Sequence, residues 1–225
     1  MGRCSRRIGV WILLLVICLG SVAAQEIAIV DKPIRYDEER TALTLEYRRQ
    51  HQGGDSKDVK IDPQVIVLHY TASESFDGAW KYFDRTRIES ERALVAANGA
   101  VNVSAQFLVD RDGTIYRLMP ENWFARHCIG LNQVAIGVEN VGNGTTHPLT
   151  EAQVAANAAL VRYLKQKFPK IEYLIGHSEY RRMEGTPLWS ESNPSYRTPK
   201  SDPGDDFMKQ VRAKVADLRL QGPPS

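Results

Sequence analysis

Short continuous apolar runs, partly β-branched, recur along the chain at "VIVL" (65–68), "VAIGV" (134–138) and "YLI" (173–175). Runs of this length predict strands buried on both faces. A second pattern repeats near the helical period. Phe76, Ala79, Trp80 and Phe83 in "ESFDGAWKYFDR" stand at i, i+3, i+4 and i+7, which predicts an amphipathic helix. Helical spacing also marks "TEAQVAANAALVRYLKQKF", opened by Thr150 and Gln153 as a capping box. It marks "DDFMKQVRAKVADLRL" too, where Phe207, Val211, Val215 and Leu218 share one face. Between these, "AQFLVDRDGTIYRLM" alternates on either side of Asp112-Gly113, a hairpin signal. One more helix is predicted over "ERTALTLEYRRQHQ", before a loop at "GGDSKD".

Strands and helices thus alternate around a single hairpin. The expected fold class is α/β, a central mixed β-sheet flanked by helices in three layers. The chain divides into a leader at 1–24, an extension with one helix at 25–62, a main domain at 63–220 and a tail at 221–225. Its compact part is expected to begin near Pro63.

The leader has a basic start ("MGRCSRR"), an apolar core ("IGVWILLLVICLG") and small residues before a cut ahead of Gln25, the order of a secretory signal peptide. The alternative is an uncleaved anchor, for which the uncharged run from Ile8 to Ala24 is slightly short. Cys18 raises a lipid-modified cysteine, but Ile17 before it is bulky for that signal, and the paired arginines hint weakly at twin-arginine export. The expectation is an exported, periplasmic or secreted protein with no stable membrane insertion after cleavage. Losing the leader removes Arg3, Arg6 and Arg7 from 29 basic residues and none of the 27 acidic ones, for a net charge of −1. No global basic field remains for nucleic acid. Cys128 is then the lone cysteine, so an exported chain of this kind relies on its core or a metal rather than a disulfide. A monomer is expected.

Against this background a few polar residues stand out. His69 ends the first apolar run, His177 ends "YLIGH", Glu139 interrupts "IGVENVG", and Lys200 and Asp202 lie in "PKSDPG". Taken singly each has an ordinary explanation: a hydrogen-bonded histidine, a strand-edge glutamate, a turn with a helix cap. Together they form a pattern, because chemistry in open α/β sheets gathers at the carboxyl ends of strands. Two histidines at strand ends plus a carboxylate on a turn make a three-ligand set for one Zn²⁺, with a fourth position left for water. One carboxylate leaves such a site net positive, which favours an acidified water and a polarised carbonyl. Burying Glu139 is costly without a cation nearby, so its strand position points to the metal or Lys200 beside it.

At these residues the chain resembles the zinc-dependent N-acetylmuramoyl-L-alanine amidases of the type-2 class, related to the peptidoglycan recognition proteins. The resemblance runs from about Val65 to Phe207, on "VIVLHYTAS", "VSAQFLVDRDGTIYRL", "ARHCIG", "AIGVENVG", "IGHSEY" and "PKSDPG" in the family's order. It implies zinc on His69, His177 and Asp202, Glu139 as the catalytic carboxylate, and Lys200 as a cation near the developing oxyanion. It also implies a mixed sheet flanked by helices, and hydrolysis of the amide between the lactyl group of N-acetylmuramic acid and L-alanine in peptidoglycan or muropeptides.

The chain departs from the family in several places. Ala105 stands where some relatives have tyrosine, and Gln106 where many have histidine. "ARHC" (125–128) replaces the common Ala-Trp-His-Ala; His127 is a candidate cleft residue with a structural role as the alternative, and Cys128 is read as a small buried residue. His127, Gln106, Tyr70 and Trp189 are the candidate substrate contacts. The long segment 178–199 holds Trp189 and Tyr196 and is either a wall of the groove or a solvated insertion. "NVS" at Asn102 and "NGT" at Asn143 match glycosylation acceptors. Two rivals stay open: a module that binds peptidoglycan without cutting it, and a zinc peptidase acting within the stem peptide.

Overall fold

The computed structural model describes residues 1–2, 27–53 and 57–224. The leader expected over 1–24, with its cleavage site and Cys18, therefore lies outside the described residues apart from the first two. Among the described residues no helix is long and apolar enough to cross a membrane.

The elements run β1 (Ile29–Asp31), α1 (Glu38–Gln52), β2 (Val65–Leu68), α2 (Phe76–Asp84), α3 (Ala93–Ala96), β3 (Phe107–Val109), β4 (Ile115–Arg117), β5 (Ala135–Asn140), α4 (Glu151–Lys167), β6 (Tyr173–Gly176) and α5 (Asp205–Lys214). A 3₁₀ turn at His177–Met183 follows β6. The six strands form one sheet in the order β1-β4-β3-β5-β2-β6. Only β3 and β4 pair antiparallel, through the hairpin at Asp112-Gly113; the other neighbours are parallel. The sheet is therefore mixed and flanked by helices, as the alternation of patterns predicts.

Local signals explain the helix starts. Asp37 caps α1 by accepting from the Arg40 N–H, and Ser75 caps α2 from the Gly78 N–H. At α4 both bonds of the Thr150–Gln153 capping box form. The helix predicted through Leu218 ends earlier, at Lys214, and a short 3₁₀ turn at Ala216–Leu218 carries the remainder. The tail returns to the sheet, where Gln221 bridges Tyr173 at the outer edge of β6.

The period-two geometry of strands assigns the two faces. Ile66, Leu68, Ile136, Val138 and Leu174 pack against α4 and α5 through Val154, Leu160, Phe207 and Val211. Val65, Val67, Ala135 and Ile175 face the other way, into a cluster with Tyr47 of α1, Tyr180 and Tyr196. Tyr47 shows that residues before Pro63 belong to the same packed body. The extension also adds β1 to the sheet, parallel to β4, with the Arg117 guanidinium bound to both Asp31 carboxylate oxygens at 2.7 and 2.9 Å. The face that α1 buries is largely polar: Arg40, Thr44, Tyr47, Arg48 and His51.

Candidate metal centre and its cavity

Three parallel strands bring the chemistry to one place. Leu68 lies opposite Val138 on β5 and opposite Gly176 on β6. One residue further along, the same register sets His69, Glu139 and His177 in a single row across the sheet. All three fall on the face that carries Val67, Gly137 and Ile175, because they follow those positions in turn by two. The His69 N–H bonds to the Val138 carbonyl and the Asn140 N–H to that of His69, which fixes His69 within the sheet.

Asp202 reaches the row from the segment before α5. The Ser178 N–H, one residue past His177, bonds to the Asp202 carbonyl at 2.8 Å. Upstream, the Tyr180 hydroxyl donates to the Thr198 carbonyl and accepts from its N–H, at 2.8 and 2.9 Å. Two residues apart in sequence, Lys200 and Asp202 thus extend from an anchored stretch.

The His69 and His177 Nδ1 atoms stand 3.0 Å apart, and Asp202 Oδ2 lies 3.2 Å from the first and 3.0 Å from the second. All three side chains are buried. Ligand atoms around a tetrahedral zinc with bonds of 2.0–2.1 Å would be about 3.3 Å apart, so this set fits such an ion with little adjustment. Its chemistry fits as well: two imidazole nitrogens and one carboxylate oxygen converge on one point. Electrostatics follow the crowding. Burial works against Asp202, yet the two imidazoles beside it hold its carboxyl well below the usual range. Burial, helped by His69, lowers His177 to about 4. A neutral imidazole beside an ionised carboxylate is the state that binds a metal.

Glu139 faces the same cavity. Its Oε2 is out of solvent contact and has no hydrogen-bond partner among the described residues. Burial pushes its carboxyl up to about 7, against the pull of His69 and Lys200. The cavity measures about 650 Å³ and is also lined by Tyr70, His127, Lys200, Arg92 and Tyr82. The Tyr70 hydroxyl is 3.1 Å from Ser201 Oγ. His127 lies behind His69, its Nδ1 3.0 Å from His69 Nε2.

Two expected substrate contacts do not line this cavity. Gln106 is wholly buried, with its amide donating to the Trp123 carbonyl and accepting from the Gly137 N–H, both at 2.7 Å. Its polar ends tie β5 to the loop before His127. Trp189 packs over Gly130, next to Tyr180 and under the Arg197 guanidinium. The segment around it is docked on the protein: Ser190 Oγ, the Ser192 N–H and Glu191 all bond to the end of α1. Tyr196 of this segment does line the cavity. Burial pushes the Cys128 thiol up, and it stands outside the three-atom cluster. Asn102 is buried and donates to the Tyr82 carbonyl, which leaves no accessible amide for a glycan.

Arg126 enters the sequence reading only as part of "ARHC" (125–128), with no role of its own. Buried in the cavity wall, it donates to the carbonyls of Val95, Asn98, Gly99 and Val101 and to the Tyr196 hydroxyl. Nothing in its local sequence marks that role.

A family model described as N-acetylmuramoyl-L-alanine amidase matches residues 59–205. Peptidoglycan-recognition protein SC2 of Drosophila melanogaster is 29% identical over 130 residues, 56% of this chain and 70% of that protein. Peptidoglycan recognition protein 3 of Mus musculus is 28% identical over 117 residues, 51% of this chain; the match spans only 33% of the mouse protein's length. Among solved structures, the endolysin N-acetylmuramoyl-L-alanine amidase LysCS from Clostridium intestinale superposes with a TM-score of 0.56 at 23% identity, covering 86% of this chain and 99% of that one. AmpD gives 0.51 at 21% identity, covering 85% and 97%. Both are likenesses of fold.

Proposed function

Because the chain belongs to the N-acetylmuramoyl-L-alanine amidase family, we propose that it hydrolyses the amide between N-acetylmuramic acid and L-alanine in peptidoglycan or its muropeptides. His69, His177 and Asp202 would hold one zinc ion. The observation that carries this is the trio of ligand atoms 3.0–3.2 Å apart, two of them in one strand row with Glu139, whose Oε2 has no hydrogen-bond partner among the described residues.

When bound, zinc supplies Lewis acidity toward a carbonyl oxygen and lowers the pKa of water toward ~7. The residues of the chain do the rest. Glu139 takes a proton from the attacking water and passes it to the leaving nitrogen. Burial disfavours the charged form of its carboxyl, which strengthens it as a base. Lys200 makes no hydrogen bond or ion pair among the described residues, and its ammonium is available to the oxygen that gains negative charge. Such a donor is worth ~3 kcal/mol in a water-poor site. Tyr70 offers aromatic surface along the cavity, whose volume suits a sugar–peptide junction. A secretory leader would place this activity outside the cytoplasm, where peptidoglycan lies.

The test is digestion of purified peptidoglycan by the zinc-loaded protein, with mass spectrometry of the soluble products. Stem peptides beginning at free L-alanine are expected, lost on chelation and restored by zinc. Fragments cut within the stem would overturn the bond assignment in favour of a peptidase. Murein bound but left intact would instead make this a binding module. Glu139→Ala is expected to retain zinc while losing turnover by at least about 10²-fold, and an active zinc-loaded variant would remove Glu139 from this role.

A further inference from the structure

His127, a candidate cleft residue with a structural role as the alternative, lines the cavity, and both its ring nitrogens are engaged within the protein. Its Nε2 lies 3.3 Å from the Ala135 carbonyl oxygen, and its Nδ1 lies 3.0 Å from His69 Nε2. A carbonyl oxygen only accepts, so His127 Nε2 carries a hydrogen. The neutral ring then has a bare Nδ1, which can only accept, so His69 Nε2 must carry the hydrogen between them. A neutral His69 with its hydrogen on Nε2 has a bare Nδ1. That is the atom facing His177 and Asp202.

From this relay we infer that His127 is a positioning residue, which fixes the tautomer and ring plane of His69 so that Nδ1 is presented to the metal. The two rings stand edge to face at 89°, an arrangement compatible with a hydrogen bond directed in the plane of His69. The surroundings hold His127 in turn. The Asn132 side chain accepts from the backbone N–H groups of His127 and Cys128 at 2.9 and 2.7 Å. Gly137 of β5 leaves the space in which the ring sits, since a Cβ there would stand 2.7 Å from His127 Cγ. Gly137 pairs with Val67, two residues before His69, so the gap in one strand receives the ring that orients the ligand of the next. Partners of this kind typically govern metal affinity about 10–100-fold.

The inference rests on His69 being a zinc ligand, and the experiment separates the two claims. Zinc affinity is measured by chelator competition for the wild type, His127→Phe and His127→Asn. Phe keeps the ring volume over Gly137 without an acceptor, whereas Asn places an oxygen near the position of Nδ1. His127→Phe is expected to bind zinc about 10–100-fold more weakly, with His127→Asn recovering most of the loss. Long-range ¹⁵N–¹H correlation spectra of the metal-free wild type should show His69 as the Nε2–H tautomer, and His127→Phe should show a mixture. A folded His127→Phe protein with wild-type affinity would overturn the role. So would a wild-type His69 protonated on Nδ1, a result that decides the matter even if the Phe variant does not fold. A wild type that binds no zinc would instead sink the functional proposal itself.

Discussion

Glu139 Oε2 is out of solvent contact with no hydrogen-bond partner among the described residues, and that isolation has a measurable cost. Its carboxyl sits at about 7 in the folded protein against 4.5 as the ordinary value. A group raised in this way contributes stability that is fully present below pH 4.5 and is lost as pH rises through 7. The metal-free Glu139→Gln protein is therefore expected to gain about 2–3 kcal/mol over wild type at pH 8, and little at pH 4.5. Urea titrations with chelator at the two pH values measure this; an equal gain at both would contradict it. Gly137→Ala belongs to the same scale. The added methyl would press on His127 Cγ at 2.7 Å, and overpacking of that kind costs about 1–3 kcal/mol. A thermal melt gives the loss, and chelator competition should show weaker zinc binding. Single residues at strand ends were legible because a polar group closing an apolar run is conspicuous. Gln106 and Trp189 misled because nothing local distinguishes a cleft contact from a buried amide or a packed indole.

Between elements, three strands deliver their groups at the same step: "VIVLH", "AIGVE" and "YLIGH" each place the polar residue fifth. That common offset was present in the sequence, and aligning the runs by it would have predicted the row. Helix α1 was found by its period, but its packing was not, because its buried stripe is polar. Arg40 donates to the carbonyls of Phe83 and Arg85, and Arg48 to those of Asp58 and Lys60. Pairing with distant backbone leaves no trace in a hydropathy pattern. The three-residue β1 is too short to signal itself. At the far end of α1, His51 Nδ1 meets Glu191 at 2.8 Å, with both side chains buried. Removing one partner of a buried pair costs about 3 kcal/mol. Glu191→Ala is expected to lower stability by that amount, read from urea unfolding, with faster amide exchange along 184–199. Unchanged exchange there would show that the pair does not hold the segment.

For the molecule as a whole, the extension and the main domain share one core through Tyr47, and one sheet through β1. A chain beginning at Pro63 is expected to lack cooperative unfolding, because the cluster around Val65 and Val67 would lose its cover. A sharp melt from that truncated chain would show that the extension is dispensable. Zinc should stabilise the whole fold by mass action, by about 4 kcal/mol at a thousandfold excess over its dissociation constant. Differential scanning calorimetry with and without chelator measures it. The row across β2, β5 and β6 also dictates which lengths of chain can vary. Side chains alternate between faces, so inserting or deleting one residue inside any of the three strands would turn its polar end toward α4 and α5. Such a change alters composition hardly at all and leaves every functional side chain in the protein, but faces one of them the wrong way. Length changes among functional homologues should therefore fall in the connections, with the count from strand start to His69, Glu139 and His177 kept like a reading frame.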